Sequence, residues 1–181
     1  MRRTTWANDV RLHLALASVG NSTLMKQSGK GRVNRARLFL ANEVPIASVS
    51  AFDKSAFSTF LDQKTIGLSR QLPRPDDGRP NWGAARKVIS IFLRMCAMNK
   101  DLHTAFNLAT VEPLLEVPLD NQIVAKIDQE SGSHFSKNFK IKYLSPDLNS
   151  DIQGAALRLA SRERIYRYEL DVLYWNAATL A

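Results

Sequence analysis

The chain has 181 residues, 45% of them apolar, and a formal net charge of +8. That length suits one domain or two small lobes. The single cysteine, Cys96, excludes an internal disulfide and a four-cysteine cluster.

Taken in order, the opening Met1-Arg2-Arg3-Thr4-Thr5-Trp6 lacks the apolar core of a signal peptide, and no 18-residue apolar run spans a membrane. A reducing cytoplasm is the expected setting. Residues 4–19 carry Trp6, Val10, Leu12, Leu14, Leu16 and Val19 and predict a helix, ended by Gly20-Asn21-Ser22. After the loop Ser28-Gly29-Lys30-Gly31, a basic helix is expected over 32–42. Phe57, Phe60 and Leu61 stand at helical spacing within 54–68. Leu72 to Pro80 contains three prolines and Asp77-Gly78, which forbid a helix interior and predict a hairpin.

Asn81 is a fitting N-cap for a helix running to about Met98. Val88, Ile89, Phe92, Leu93, Met95 and Cys96 form its apolar face, and Lys87, Ser90 and Arg94 share the opposite stripe. A short helix is expected near 110–116, ahead of Pro118. Asp120 then caps a helix carrying Ile123, Val124 and Ile127. Residues 131–143 read as loop with a short extended stretch. Pro146 starts a helix to about 162, and a last helix holds Ile165, Tyr168, Leu170, Leu173 and Tyr174. No multistrand pattern appears, so the expected class is all-α.

Charge is unevenly spread. Residues 1–40 hold eight Lys/Arg against Asp9, and residues 70–100 hold seven against Asp76 and Asp77. Residues 101–135 reverse the sign, with six acids against Lys126. The basic stretches would attract a polyanion, nucleic acid foremost; charge alone does not separate that from an ordinary basic protein. His13, His103 and His134 lack ligand spacing, so neither a metal nor another cofactor is expected.

Two elements carry chemistry together. Gly83-Ala84-Ala85-Arg86-Lys87-Val88 opens one helix with a lysine, and Val117-Pro118-Leu119-Asp120-Asn121-Gln122-Ile123-Val124 opens another with a carboxylate at its cap. These segments resemble the core of the helix-hairpin-helix DNA glycosylases, nearest the archaeal 8-oxoguanine branch. The resemblance covers about residues 72–130, and the C-terminal helix loosely. It departs at the hairpin, where Asn81-Trp82-Gly83 replaces a Gly-hydrophobic-Gly, and at Asp120-Asn121-Gln122-Ile123, where Asp-Thr-His-Val is usual.

The resemblance implies a single glycosylase-like domain whose two helical lobes flank a cleft, one of residues 1–71 with 145–181, the other of residues 72–130. Lys87 and Asp120 would be catalytic. Asp171 and Trp175, four residues apart, would form the base pocket with Ile91 and Pro118. Asn81, Trp82, Gly83, Arg86, Arg94 and Gln122 would contact duplex DNA carrying a flipped base. The expected protein is a monomer without an obligatory partner.

The chemistry suits these residue types. Breaking an N-glycosidic bond develops positive charge on C1′, which a preorganised carboxylate stabilises. A helix N-terminus favours the anion there. A neutral lysine amine attacks C1′ and forms a Schiff base, which permits β-elimination, and Arg86 and Arg94 supply positive charge beside that amine. The expected substrate is 8-oxoguanine or a phage-type modified cytosine, in repair or defence. A helical DNA-binding module without activity is the alternative, and an RNA-binding or regulatory protein a weaker one.

Overall fold

The computed structural model describes the backbone of residues 2–179 and the side chains of residues 5–175. Among the described residues the structure is all-helical. Its helices are α1 (Arg2–Ala17), α2 (Arg32–Glu43), α3 (Ile46–Val49), α4 (Lys54–Gln71), α5 (Trp82–Met98), α6 (Lys100–Ala105), α7 (Asn121–Ser131), α8 (Pro146–Glu163) and α9 (Leu170–Thr179). One antiparallel bridge, Pro73 to Pro80, closes the expected hairpin. No helix of the described residues is long and apolar enough to cross a membrane.

Caps set several helix starts. Asp53 accepts from the Ala56 N–H at 2.8 Å to begin α4, Asn81 accepts from the Ala84 N–H at 3.0 Å to begin α5, and Ser145 accepts from the Leu148 N–H at 3.2 Å to begin α8. Each satisfies a donor that the first helical turn leaves without an intrahelical partner. Asn99 ends α5 and caps α6 through the Asp101 and Leu102 N–H groups.

Hydrophobic burial falls into two clusters. The first gathers side chains from α1 to α6 and ends at Leu115, with Tyr168 added; Phe92, Leu24, Leu40 and Ile89 are among its fully buried members. The second runs from Val117 through α7 and α8 to Tyr174. The boundary differs from the lobes expected from sequence. Helix α5 does not group with residues 117–130: it packs mainly on α4, because Ala84, Ala85, Val88, Ile89 and Phe92 all bury into the first cluster.

Other expectations shift locally. The segment before Pro118 holds α6 and two 3-10 turns, Leu108–Thr110 and Glu112–Leu114, rather than one helix near 110–116. Residues 131–143 contain 3-10 turns at Phe135–Lys137 and Ile141–Tyr143 and no extended strand. Ser90, on the stripe it shares with Lys87 and Arg94, is buried.

Gly83, in the first turn of α5, lets the 141–144 segment approach the helix backbone. A Cβ there would drive into the Ile141 carbonyl oxygen and lie 2.7 Å from the Leu144 Cβ. Both opposing atoms belong to ordered main chain or its first side-chain carbon, so neither yields cheaply. Gly83→Ala is expected to cost about 1–3 kcal/mol, read as a lowered denaturant midpoint; an unchanged midpoint would refute the tight approach.

Candidate active site

Lys87 sits in the second turn of α5, where the Asn81 cap fixes the helix start. Asp120 caps α7, accepting from the Gln122 and Ile123 N–H groups at 3.1 and 3.0 Å through one oxygen, Oδ1. Its other oxygen, Oδ2, accepts from Lys87 Nζ at 3.4 Å. The side chains are 18% and 29% exposed, so the pair is reachable from solvent and held on one side by protein. One carboxylate therefore serves two purposes: it anchors α7 and faces the amine.

The pair opens onto a cleft of about 410 Å³, within the size range of small-ligand sites. Lys87, Ile91, Arg94 and Met95 line it from α5, Pro118 and Asp120 from the head of α7, and Asp171 and Trp175 from α9. Ala17, Ser18, Ser22 and Thr23 complete the wall from the end of α1 and the loop after it. A narrower groove of about 210 Å³ shares Lys87 and Asp120 and continues past Met25, Gln27 and Gln122.

A second ion pair, Arg94 with Asp171, lies within the cleft lining. Arg167, four residues before Asp171, does not take this role. Arg167 instead donates to the Leu115 and Leu114 carbonyls at 3.0 and 2.9 Å. Burial pushes the Arg94 guanidinium below its ordinary value, and its Nε is buried with no hydrogen-bond partner among the described residues.

Of the site residues expected from sequence, Lys87, Asp120, Ile91, Pro118, Asp171, Trp175 and Arg94 come together in this cleft, and the exposed Gln122 borders its mouth. The four others do not present side chains to it. Asn81 is buried, its amide spent on the Ala84 N–H and on the Gln27 carbonyl, to which Nδ2 donates at 2.6 Å. Gly83 is covered by the 141–144 segment. Trp82 packs against the second cluster, beneath the Arg86 guanidinium.

Arg86 is the clearest correction, because its charge points away from Lys87 into the protein. It donates to both Glu116 oxygens at 2.8 Å, to Asp62 at 2.8 Å and to Thr65 at 3.2 Å. A guanidinium this well satisfied is not a donor waiting for phosphate. Burial alone would push Glu116 up, but the Arg86 hydrogen bonds and charge outweigh it and hold the carboxyl below the usual range.

This junction fixes the approach to Asp120. Next to Glu116, Val117 donates its N–H to Gln153 Oε1 at 3.2 Å and accepts from Gln153 Nε2 at 2.8 Å. With Arg167 on the Leu114 and Leu115 carbonyls, segment 114–117 is held residue by residue before Pro118.

Sequence reasoning missed the cleft wall from Ser18, Ser22, Thr23 and Met95. The 20–31 loop has no hydrophobic period to read, and Met95, at the edge of the apolar face of α5, is only half-buried. A larger cavity of about 570 Å³ lies on the Arg86 side of α5, lined also by Trp82, Glu116 and Asn149. Arg86, Asp62, Glu116, Gln153 and Arg167 of its lining belong to the junction just described. Among the described residues no cluster of three or more His, Cys, Asp or Glu side chains is suited to a metal. Cys96 is buried, and burial pushes its thiol far above the ordinary range.

No protein-family model, curated protein or solved structure matches the chain.

Arg86→Met is expected to cost about 3–5 kcal/mol, because it leaves the Glu116 carboxylate buried and unpaired. Adding Glu116→Leu is expected to restore much of that loss; a double variant as unstable as the single one would contradict the assignment. Because the folded Glu116 value is depressed, the unfolded chain binds the extra proton in acid. Stability is therefore complete above the ordinary glutamate range and declines as pH falls through the lower folded value. Urea melts across an acid series should show this limb shrinking in Glu116→Gln.

Proposed function

We propose that the chain is a DNA glycosylase with abasic-site lyase activity, built on a helix-hairpin-helix glycosylase-like arrangement. The observation that carries this reading is the 3.4 Å approach of Lys87 Nζ to Asp120 Oδ2 at a cleft large enough for a nucleobase. A hairpin precedes the lysine helix, and the acid caps the helix that follows Pro118. Support also comes from what lines the space beyond: Ile91, Pro118 and Trp175 offer apolar and aromatic surface, and Asp171 and Arg94 offer polar groups. A flipped base enters such a site by exchanging its stack in the duplex for those surfaces.

The proposed mechanism uses both side chains on one sugar carbon. The Lys87 ammonium loses a proton to water, and the freed amine attacks C1′ while Asp120 stays ionised beside it. The C1′–N bond to the base breaks and its electron pair leaves with the base, while a C1′–Nζ bond forms. Asp120, fixed by the two α7 N–H groups, stabilises positive charge developing at C1′. The sugar ring then opens: C1′–O4′ breaks, one of the two protons left on Nζ passes to O4′, and a C1′=Nζ iminium bearing the other results. Loss of a C2′ proton expels the 3′ phosphate. The partner is duplex DNA, drawn by the net charge of +8. The excised base is an oxidised or otherwise modified one, such as 8-oxoguanine or a modified cytosine.

Borohydride added during reaction with a duplex carrying an abasic site is expected to leave a covalent protein–DNA band on a denaturing gel. Lys87→Ala should abolish the band, and Asp120→Asn should abolish turnover while keeping most of the DNA affinity. Base release without any adduct would mean that water, not Lys87, attacks. Absence of both release and adduct across a broad panel of bases would leave a DNA-binding module.

A further inference from the structure

The cleft is polarised along its length. Lys87 and Arg94 are seven residues apart on α5, two turns and about 10 Å of helix rise. Each meets a carboxylate from another element, Asp120 at one end and Asp171 at the other. Between them Ile91, Met95 and Pro118 form apolar walls, and Trp175 adds an aromatic one. If the sugar lies at the Lys87–Asp120 end, its base reaches toward Arg94. That arginine is anchored by Asp171, and a guanidinium carries five donors, so one carboxylate does not exhaust it. Its side chain lines the cleft and is 19% exposed there, and the surrounding burial strengthens any hydrogen bond it makes to a bound group.

We infer that Arg94 acts on the departing base, donating to a carbonyl oxygen that receives negative charge as the glycosidic bond breaks. The inference rests on the proposed glycosylase reading and names a catalytic residue and a substrate class within it. Heterolysis places the electron pair of the C1′–N bond on the base. Where a carbonyl is conjugated with that nitrogen, the charge spreads to its oxygen. The fixed cation at the far end of the cleft stabilises that anion, which takes its proton from water after release. Preorganised donors aimed at developing charge contribute strongly in a water-poor site. Asp171 is a positioning residue here, since it holds the guanidinium in place. The substrate class is a base with such a carbonyl, and a carbonyl-free base such as adenine gains nothing from Arg94.

The step is separable because abasic DNA has no base to expel. Single-turnover excision is measured on duplexes carrying 8-oxoguanine, uracil or hydroxymethylcytosine, and strand cleavage on a duplex with a preformed abasic site. The variants are Arg94→Lys and the joint Arg94→Met/Asp171→Asn, which avoids an unpaired buried carboxylate. Affinity for a duplex with a tetrahydrofuran abasic analogue controls for folding. The joint variant is expected to lose base excision by about 100-fold, with abasic-site cleavage and tetrahydrofuran affinity kept. Arg94→Lys should fall between it and wild type. Equal loss of excision and abasic cleavage, or loss of neither, overturns the role of Arg94. Wild-type cleavage of the abasic duplex without release of any of the three bases overturns the substrate class. Failure of wild type on every duplex removes the glycosylase reading, and this inference with it.

Discussion

The buried charge cluster around Arg86 is the constraint on which the rest of the site depends. One guanidinium joins α5 to Glu116 by a bidentate pair and to α4 through Asp62 and Thr65, and its face lies over the Trp82 ring. A buried ion pair adds little net stability over well-packed apolar groups, but breaking it is expensive. Its effect is therefore on geometry. The helix that carries Lys87 and the segment that leads to Asp120 belong to different hydrophobic clusters, and Arg86–Glu116 ties them at adjacent sequence positions. Lys87 follows Arg86 by one residue and Asp120 follows Glu116 by four, so the two side chains of interest inherit their spacing from that joint.

A second restraint holds the opposite wall. The 20–31 loop has no regular hydrogen-bond ladder, yet its backbone is tied at several points. Arg37 Nε donates to the Val19 carbonyl at 3.0 Å, Asn81 Nδ2 to Gln27, and Arg35 Nη1 to Lys30 at 2.9 Å. Arg37 and Arg35, two cations of the basic N-terminal stretch, thus donate to main-chain carbonyls within the protein. Asn81 links the loop to the cap of α5, so the wall bearing Ser22 and Thr23 is referenced to the same helix start as Lys87.

Local signals were the legible ones. Asn81, Asp120 and the Ser145-Pro146 start were readable because a cap bonds to its own next turn, and the hairpin because three prolines and Asp77-Gly78 restrict their own backbone. Lys87 and Asp120 were legible as a pair only through the resemblance, since nothing local couples residues 33 positions apart. Arg86 was misread for the same reason: an arginine beside a lysine looks like a second exposed cation until Glu116, thirty residues on, is brought beneath it. Arg94 with Asp171 has a separation of 77 residues and no local cue. The grouping of α5 failed because its apolar face is wide enough to suit either cluster, and tertiary packing made the choice.

The cleft unites these features: an amine and an acid where a sugar would lie, and a second charged pair where a base would end. The proposed chemistry requires Lys87 and Asp120 to act on the same deoxyribose carbon. A crystal structure of the Asp120→Asn protein with a duplex containing a tetrahydrofuran abasic analogue tests it most directly. The analogue is expected to be turned out of the helix, with its C1′-equivalent carbon about 3–3.5 Å from Lys87 Nζ and the residue 120 side chain beside the ring. An analogue left in the duplex, or bound at the cavity on the Arg86 side of α5, would contradict it.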